Sequence, residues 1–190
     1  PPELKPSFAE TTVWADVDDV LAVIRGGGGS AWVSTSKDSG LTWSQAQPSN
    51  LPMPRAKAFL GRLDNGQLYL VSNYRNRDTL VVSVSKPDEN TLSKMWRVRH
   101  GKSEAPRFEG AAQGKQWSYP YAHEHDGTLY VVYSIGKEEC GLSSVPVASL
   151  QTSESPEASS AIRRELKIVD HAVSDADGRK AFTFRQDDFA

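Results

Sequence analysis

A single cysteine, Cys140, stands in 190 residues, so the chain can close no internal disulfide and holds no cysteine-rich metal site. It reads as an inert thiol at a strand end. Apolar runs are short, and none approaches the roughly eighteen residues a membrane-spanning helix needs, so no membrane partner is expected. Neither sign of charge dominates. Lys and Arg number 22 against 24 Asp and Glu, for a net charge of −2 and a pI near 6.1. That balance argues against nucleic acid as the main partner. No charged-then-apolar leader follows Pro1, and the expectation is a secreted or periplasmic protein whose leader has been removed. Amphipathic helices are missing before about residue 160. The length suits one domain, or one and a fraction.

What the chain does have is strand-forming residues in short runs. Val, Leu, Tyr and Trp cluster at 10–15, 20–25, 30–36, 57–63, 67–73, 79–85, 94–99, 117–123, 128–134 and 141–147, separated by Gly, Pro, Asn and Asp. This pattern predicts many antiparallel strands. Asp64-Asn65-Gly66 and Asp126-Gly127 read as hairpin turns with a residue at positive φ. Residues 151–160 form a polar linker, and 161–190 a charged tail whose one apolar patch is Leu166, Ile168 and Val169. The division is therefore 1–150 and 151–190.

A repeat runs through the first part. Asp19-Val20-Leu21-Ala22-Val23, Gly66-Gln67-Leu68-Tyr69-Leu70 and Gly127-Thr128-Leu129-Tyr130-Val131 can be superimposed on their leucines. A strand-built period of about 40–60 residues reads as propeller blades, each of which needs neighbours to bury its faces. About three four-stranded antiparallel blades fit into 1–150, and a propeller takes at least about four. The expected fold is all-β, a partial propeller with a polar C-terminal tail. A missing N-terminal propeller half is the expected partner.

Ser36-Lys37-Asp38-Ser39-Gly40-Leu41-Thr42-Trp43 fits the pattern S-x-D-x-G-x-T-W. Asp38 can accept hydrogen bonds from its own turn, Gly40 supplies a left-handed residue, and Trp43 can fold back on the hairpin. A degenerate copy is expected at Ser85-Lys86-Pro87-Asp88, with Trp96 one blade on. These motifs resemble the Asp-boxes, or BNR repeats, of the sialidase (neuraminidase) superfamily. The likeness covers roughly residues 6–150 and fits the C-terminal half of a six-bladed propeller. It implies that Ser36, Asp38, Gly40, Thr42 and Trp43 are structural.

The resemblance also implies a site. The family holds the carboxylate of a sialic acid with three arginines, and uses a tyrosine nucleophile, a glutamate that activates it and an aspartate acid/base. A planar guanidinium matches a carboxylate, and a neutral phenol is not repelled by it. Glu10 and Arg25 flank two neighbouring strands like the family's central blade. Glu10 is carried over as the activating glutamate and Arg25 as the second arginine, with an ordinary strand-end ion pair as the competing reading. Arg77, before Leu80-Val81-Val82, is carried over as the third arginine, with Arg75 its competitor. Trp117-Ser118-Tyr119-Pro120-Tyr121 resembles a Tyr-Ser-Tyr-Pro segment of bacterial relatives. Tyr119 is the candidate nucleophile and Tyr121 a second candidate, although Trp117 stands where relatives often have another tyrosine. The first arginine and the aspartate would precede Pro1, so little or no glycosidase activity is expected of this chain alone.

Other features leave alternatives open. His123-Glu124-His125 could present two imidazoles on one strand face, but no third ligand is evident and no metal or other cofactor is expected. His123 is a candidate substrate-side proton carrier, which keeps open a lyase acting on uronate polysaccharides through His123 and Tyr119. Gly26-Gly27-Gly28-Gly29 reads as a loop at the rim of a pocket. The expected partner is an acidic carbohydrate. A glycoside hydrolase and a non-catalytic carbohydrate-binding propeller are the two main readings.

Overall fold

The structure is a computed structural model that describes residues 10–27, 29–103, 105–108, 114, 116–150, 152, 169–174 and 180–184, the last two ranges as backbone. Strands β1 (Thr11–Asp16), β2 (Asp19–Ile24), β3 (Ser30–Ser36) and β4 (Gln47–Pro52) form one antiparallel sheet in chain order. Strands β5 (Phe59–Arg62), β6 (Gln67–Asn73), β7 (Thr79–Pro87) and β8 (Leu92–His100) form the second. Strands β9 (Trp117–His125), β10 (Thr128–Ile135) and β11 (Glu139–Pro146) form the third, which runs into a 3-10 turn at Val147–Leu150. Successive meanders of this kind are what blades are made of. The first strands of the sheets lie against one another in turn, β1 beside β5 and β5 beside β9. The fold is all-β and fits a partial propeller.

One departure from the sequence reading has a local cause. β4 carries Pro48 and Pro52, which hide it from a strand pattern; as the outermost strand of its sheet it needs to donate on one side only. In the tail, β12 (Val169–Ser174) and β13 (Lys180–Phe184) form a hairpin that extends the second sheet, with Thr183 opposite Trp96 and Phe184 opposite Met95. The polar segment 151–160 lies outside the described residues except for residue 152.

Burial explains the stacking. Every residue of β6 is buried, and so are the first seven of β7. Leu68 and Leu70 pack with Leu60 against Val23 and Ala31 of the first sheet. Tyr69, Val71, Leu80 and Val82 pack the other way, against Leu129, Val131 and Tyr133 of the third. Each such side chain contributes about 1.5–3 kcal/mol by leaving water, so the middle sheet is secured from both sides. The same packing corrects the repeat. Leu21 and Leu68 face each other across one interface, whereas Leu129 faces back like Leu68. Counting from the hairpin turns, Val20 is the counterpart of Leu68 and Leu129, one residue from the sequence alignment.

The Asp-box closes on itself. Ser36 Oγ donates to Asp38 Oδ1 at 2.7 Å and accepts from Gly40 N at 2.9 Å. Thr42 donates to Asp38 through its amide, at 2.8 Å, and its hydroxyl, at 2.5 Å. Trp43 Nε1 returns to Gly40 O at 2.9 Å, and Gly40 has φ +88°. The second copy does not form. Ser85 Oγ donates to Lys86 O and accepts from Leu68 N, Asp88 N donates to Gly66 O, and Trp96 is buried midway along β8. Asn90 and Leu92 stand where the first box has Gly40 and Thr42, so nothing turns the Asp88 carboxylate back onto its own loop.

Two measurements test this fold. Gly141 faces Tyr133 across β10 and β11, and an added Cβ would sit 2.4 Å from the buried Tyr133 ring. Gly141→Ala should therefore destabilise the chain by about 1–3 kcal/mol, while Val132→Ala, at a position 40% exposed, should change it by less than about 0.5 kcal/mol. Urea unfolding of both variants reads the difference. The hydrogen bonds from Thr42, and then Ser36, hold the Asp38 carboxyl at about 2, below the ordinary 3.8. A carboxyl depressed in the folded state stabilises above its unfolded value and loses that contribution as pH falls through its folded one. Wild type should thus lose stability between pH 4 and 2 more steeply than Asp38→Asn, and parallel urea midpoints for the two proteins would refute the assignment.

Candidate active site

The path of the strands decides which side chains can meet. β1 begins and β2 ends at the same end of the first sheet, so the residues flanking them are neighbours. Arg25 N donates to Glu10 O at 3.0 Å, and Arg25 Nη1 meets Glu10 Oε2 at 2.5 Å. The Arg25 side chain is only 9% exposed and that of Glu10 32%. The Asp-box, after β3, lies at the opposite end of this sheet, with Ser39 N bonded to Asp18 O of the β1–β2 turn.

The loop between β6 and β7 reaches the same end as Glu10. Arg77 Nη1 donates to Gln116 Oε1 at 2.9 Å, and Nη2 donates to Arg55 O at 2.5 Å. Its guanidinium lies 5.9 Å from the centre of the Tyr119 ring. Burial, followed by the charge on Arg25, pulls the Arg77 pKa down; Tyr119 and Glu10 push it back up. An arginine so lowered is still a cation at neutral pH. Arg55 ties that guanidinium to Gly27, two residues beyond Arg25, so the Glu10–Arg25 pair and Tyr119 both lie at this loop cluster.

Tyr119 owes its position to a bulge. Ser118 faces Ser134 and Tyr121 faces Val132, so Tyr119 and Pro120 share the space opposite one residue of β10. Tyr119 takes φ +53°, a left-handed conformation that an aromatic residue adopts at a cost of about 1–3 kcal/mol. Its side chain is 37% exposed, and Lys137 Nζ, from the β10–β11 turn, lies 5.0 Å from the ring centre.

The structure therefore gathers Glu10, Arg25, Arg77 and Tyr119. Three other candidates stand apart. Arg75 is exposed and lies over the Tyr74 ring, 5.3 Å from its centre. Tyr121 stacks at 4.3 Å on Phe59; with Glu124 and, above all, burial, it helps push the Tyr69 phenol up to about 12. His123 is exposed opposite Tyr130, four residues and about 13 Å along the strand from Tyr119. Trp117 anchors the start of β9, with Nε1 donating to Gly101 O at 2.8 Å. Glu124 accepts from Asp64 N, and His125 pairs with Asp126. Among the described residues no three His, Cys, Asp or Glu side chains could hold a metal ion together.

Sequence reasoning missed Arg55, Gln116 and Lys137. Arg55 bridges the rim, its Nε donating to Gly27 O at 3.3 Å while its carbonyl accepts from Arg77. Each lies in a loop of no motif, and no local signal marks them. Two cavities, of about 260 and 290 Å³, lie elsewhere: one between the first two sheets around Leu21, Leu60 and Leu92, the other beside Trp14, Asp19 and Lys37.

No curated protein matches the chain. A solved structure described as Bacteroides ovatus Xyloglucan PUL GH43B is similar over 66% of this chain, at 18% identity and a TM-score of 0.41. The chain spans 23% of that protein's length. The profile of the BNR repeat-like domain matches residues 4–132. That stretch includes the first two sheets, β9, the Asp-box, and Glu10, Arg25, Arg77 and Tyr119, and the chain belongs to the BNR repeat-like domain family.

Proposed function

We propose that this cluster is part of a glycoside hydrolase site for terminal acidic sugars such as sialic acid. The observation that carries the reading is the bulged, left-handed Tyr119, which presents a part-exposed phenol beside Arg77, itself in the field of Arg25 and Glu10. Backbone strain at an exposed nucleophile-type side chain, surrounded by charge, is a recurrent mark of function.

In this reading Arg25 and Arg77 hold the sugar carboxylate. Tyr119 Oη attacks the anomeric carbon as the bond to the leaving oxygen breaks. The phenol proton passes to the Glu10 carboxylate, and the leaving oxygen takes a proton from a general acid outside residues 10–150. Water, giving its proton back to the conjugate base of that general acid, then cleaves the aryl glycoside, the sugar leaves with retained configuration, and the phenol regains its proton from Glu10. The general acid and a third arginine are assigned to further blades of a six-bladed propeller.

One observation favours a non-catalytic carbohydrate-binding propeller instead. Glu10 is committed to Arg25 at 2.5 Å, and the contacts of Tyr119 are with cations. A lyase using His123 with Tyr119 is disfavoured by their separation along β9, which is too great for one carbon to meet both.

The two main readings part on one variant. In protein that carries the further blades as well as this chain, release of sugar from sialosides and uronosides should be measurable between pH 4 and 8. Tyr119→Phe should lower kcat by at least about a hundredfold with ligand binding retained. Absence of turnover in wild type, with binding present, would leave the binding reading alone standing.

A further inference from the structure

The cation missed by the sequence is the one with the most unusual setting. Among the described residues, seven non-glycine positions have a left-handed backbone. Val17, Ser39, Asp88 and Asp126 serve turns at the Asp-box end of the strands. Arg75, Tyr119 and Lys137, with φ of +57°, +53° and +64°, lie at the other end. Such a conformation suits Gly, Asn or Asp; a lysine there is held by its surroundings. Gly136 N donates to Gln116 O at 2.9 Å, and the side chain of the same Gln116 accepts from Arg77. One residue thus fixes both the turn that bears Lys137 and the guanidinium of Arg77.

Among the described residues the charges around the phenol do not balance. Glu10 is paired with Arg25. The carboxylates next to Lys137 in sequence are turned to another loop: Glu138 accepts from the amides of Arg107 and Phe108, each at 2.7 Å, and Glu139 pairs with the Arg107 side chain at 3.0 Å. Arg77 and Lys137 remain against the Tyr119 ring, at 5.9 and 5.0 Å from its centre. A cation held near a ring without a carboxylate is poised to take an anion from solution.

We propose that Lys137 is a further ligand-binding residue of the Tyr119 site, adding its charge to the hold of Arg25 and Arg77 on a sugar carboxylate. The proposal rests on the reading of this site as one for acidic sugars, and adds to it a residue from the third sheet that makes the acid, rather than the sugar ring, the main determinant of selection. Sialates and uronates share that chemistry.

The test is equilibrium binding by calorimetry at low salt, with the methyl glycosides of N-acetylneuraminic acid and of glucuronic acid, each beside its neutral methyl ester. Wild type should prefer the acid to the ester for at least one of the two sugars, which also identifies the source. Lys137→Gln should weaken binding of that acid about tenfold and leave the ester unchanged, and Lys137→Arg should restore most of the affinity. Lys137→Met, with unfolding midpoints for all variants, guards against a folding defect. Equal binding of acid by wild type and Lys137→Gln, or no acid preference in wild type for either sugar, overturns the proposal. Acid preference that depends on Lys137 in a protein without turnover retires the hydrolase and leaves the anion site.

Discussion

A sheet with two apolar faces must be covered twice, and that constraint organises the molecule. β6 and β7 alternate Leu68, Leu70 on one side with Tyr69, Val71 on the other, and no part of either side tolerates water. The first and third sheets are held where they are because they supply the two covers. Since each meander enters at the same end, stacking three of them also aligns their loops. Glu10 and Arg25 arrive from the first sheet, Arg77 from the second, and Tyr119 and Lys137 from the third. The pairs formed within the first and third sheets come together with Arg77 only because the sheets stack, so the core that stabilises the chain is also what concentrates its charge.

The two ends of the strands are built on different principles. Within the Asp-box the polar groups satisfy one another over a few residues, and Asp38 draws its hydrogen bonds from Ser36, Leu41 and Thr42. At the other end the partners are distant in sequence. Arg77 reaches Gln116 and Arg55, Arg55 reaches Gly27, and each bond ties one loop to the next. A network of that kind aligns several sheets at once, and it leaves cations facing outward where a local turn would have neutralised them.

This contrast accounts for what could be read from the sequence. The Asp-box was legible because its spacing alone determines its hydrogen bonds. Most strands were legible because β-branched and aromatic residues mark them, but β4 was not, since an edge position tolerates the prolines that a pattern rejects. The repeat was visible but one residue out at Leu21, because side chains facing across an interface look like side chains repeating along it. The gathering of Glu10, Arg25, Arg77 and Tyr119 was anticipated through resemblance, and their roles remain a proposal. Lys137 was illegible because only the meeting of the β10–β11 turn with the Tyr119 bulge gives it a neighbourhood.

Tyr69 and Tyr130 follow equivalent hairpin turns and face the same way from their sheets, yet one is 4% exposed and the other 37%. The difference measures what a neighbouring blade withdraws from solvent at one position, about a third of a tyrosine surface of roughly 200 Å². At about 25 cal/mol per Å² that is close to 1.5 kcal/mol. Tyr121, Val132 and Leu142 stand exposed on the same sheet. The outer side of the third sheet thus holds several kcal/mol of hydrophobic adhesion in reserve, and a single polar substitution there would change the colloidal behaviour of the protein.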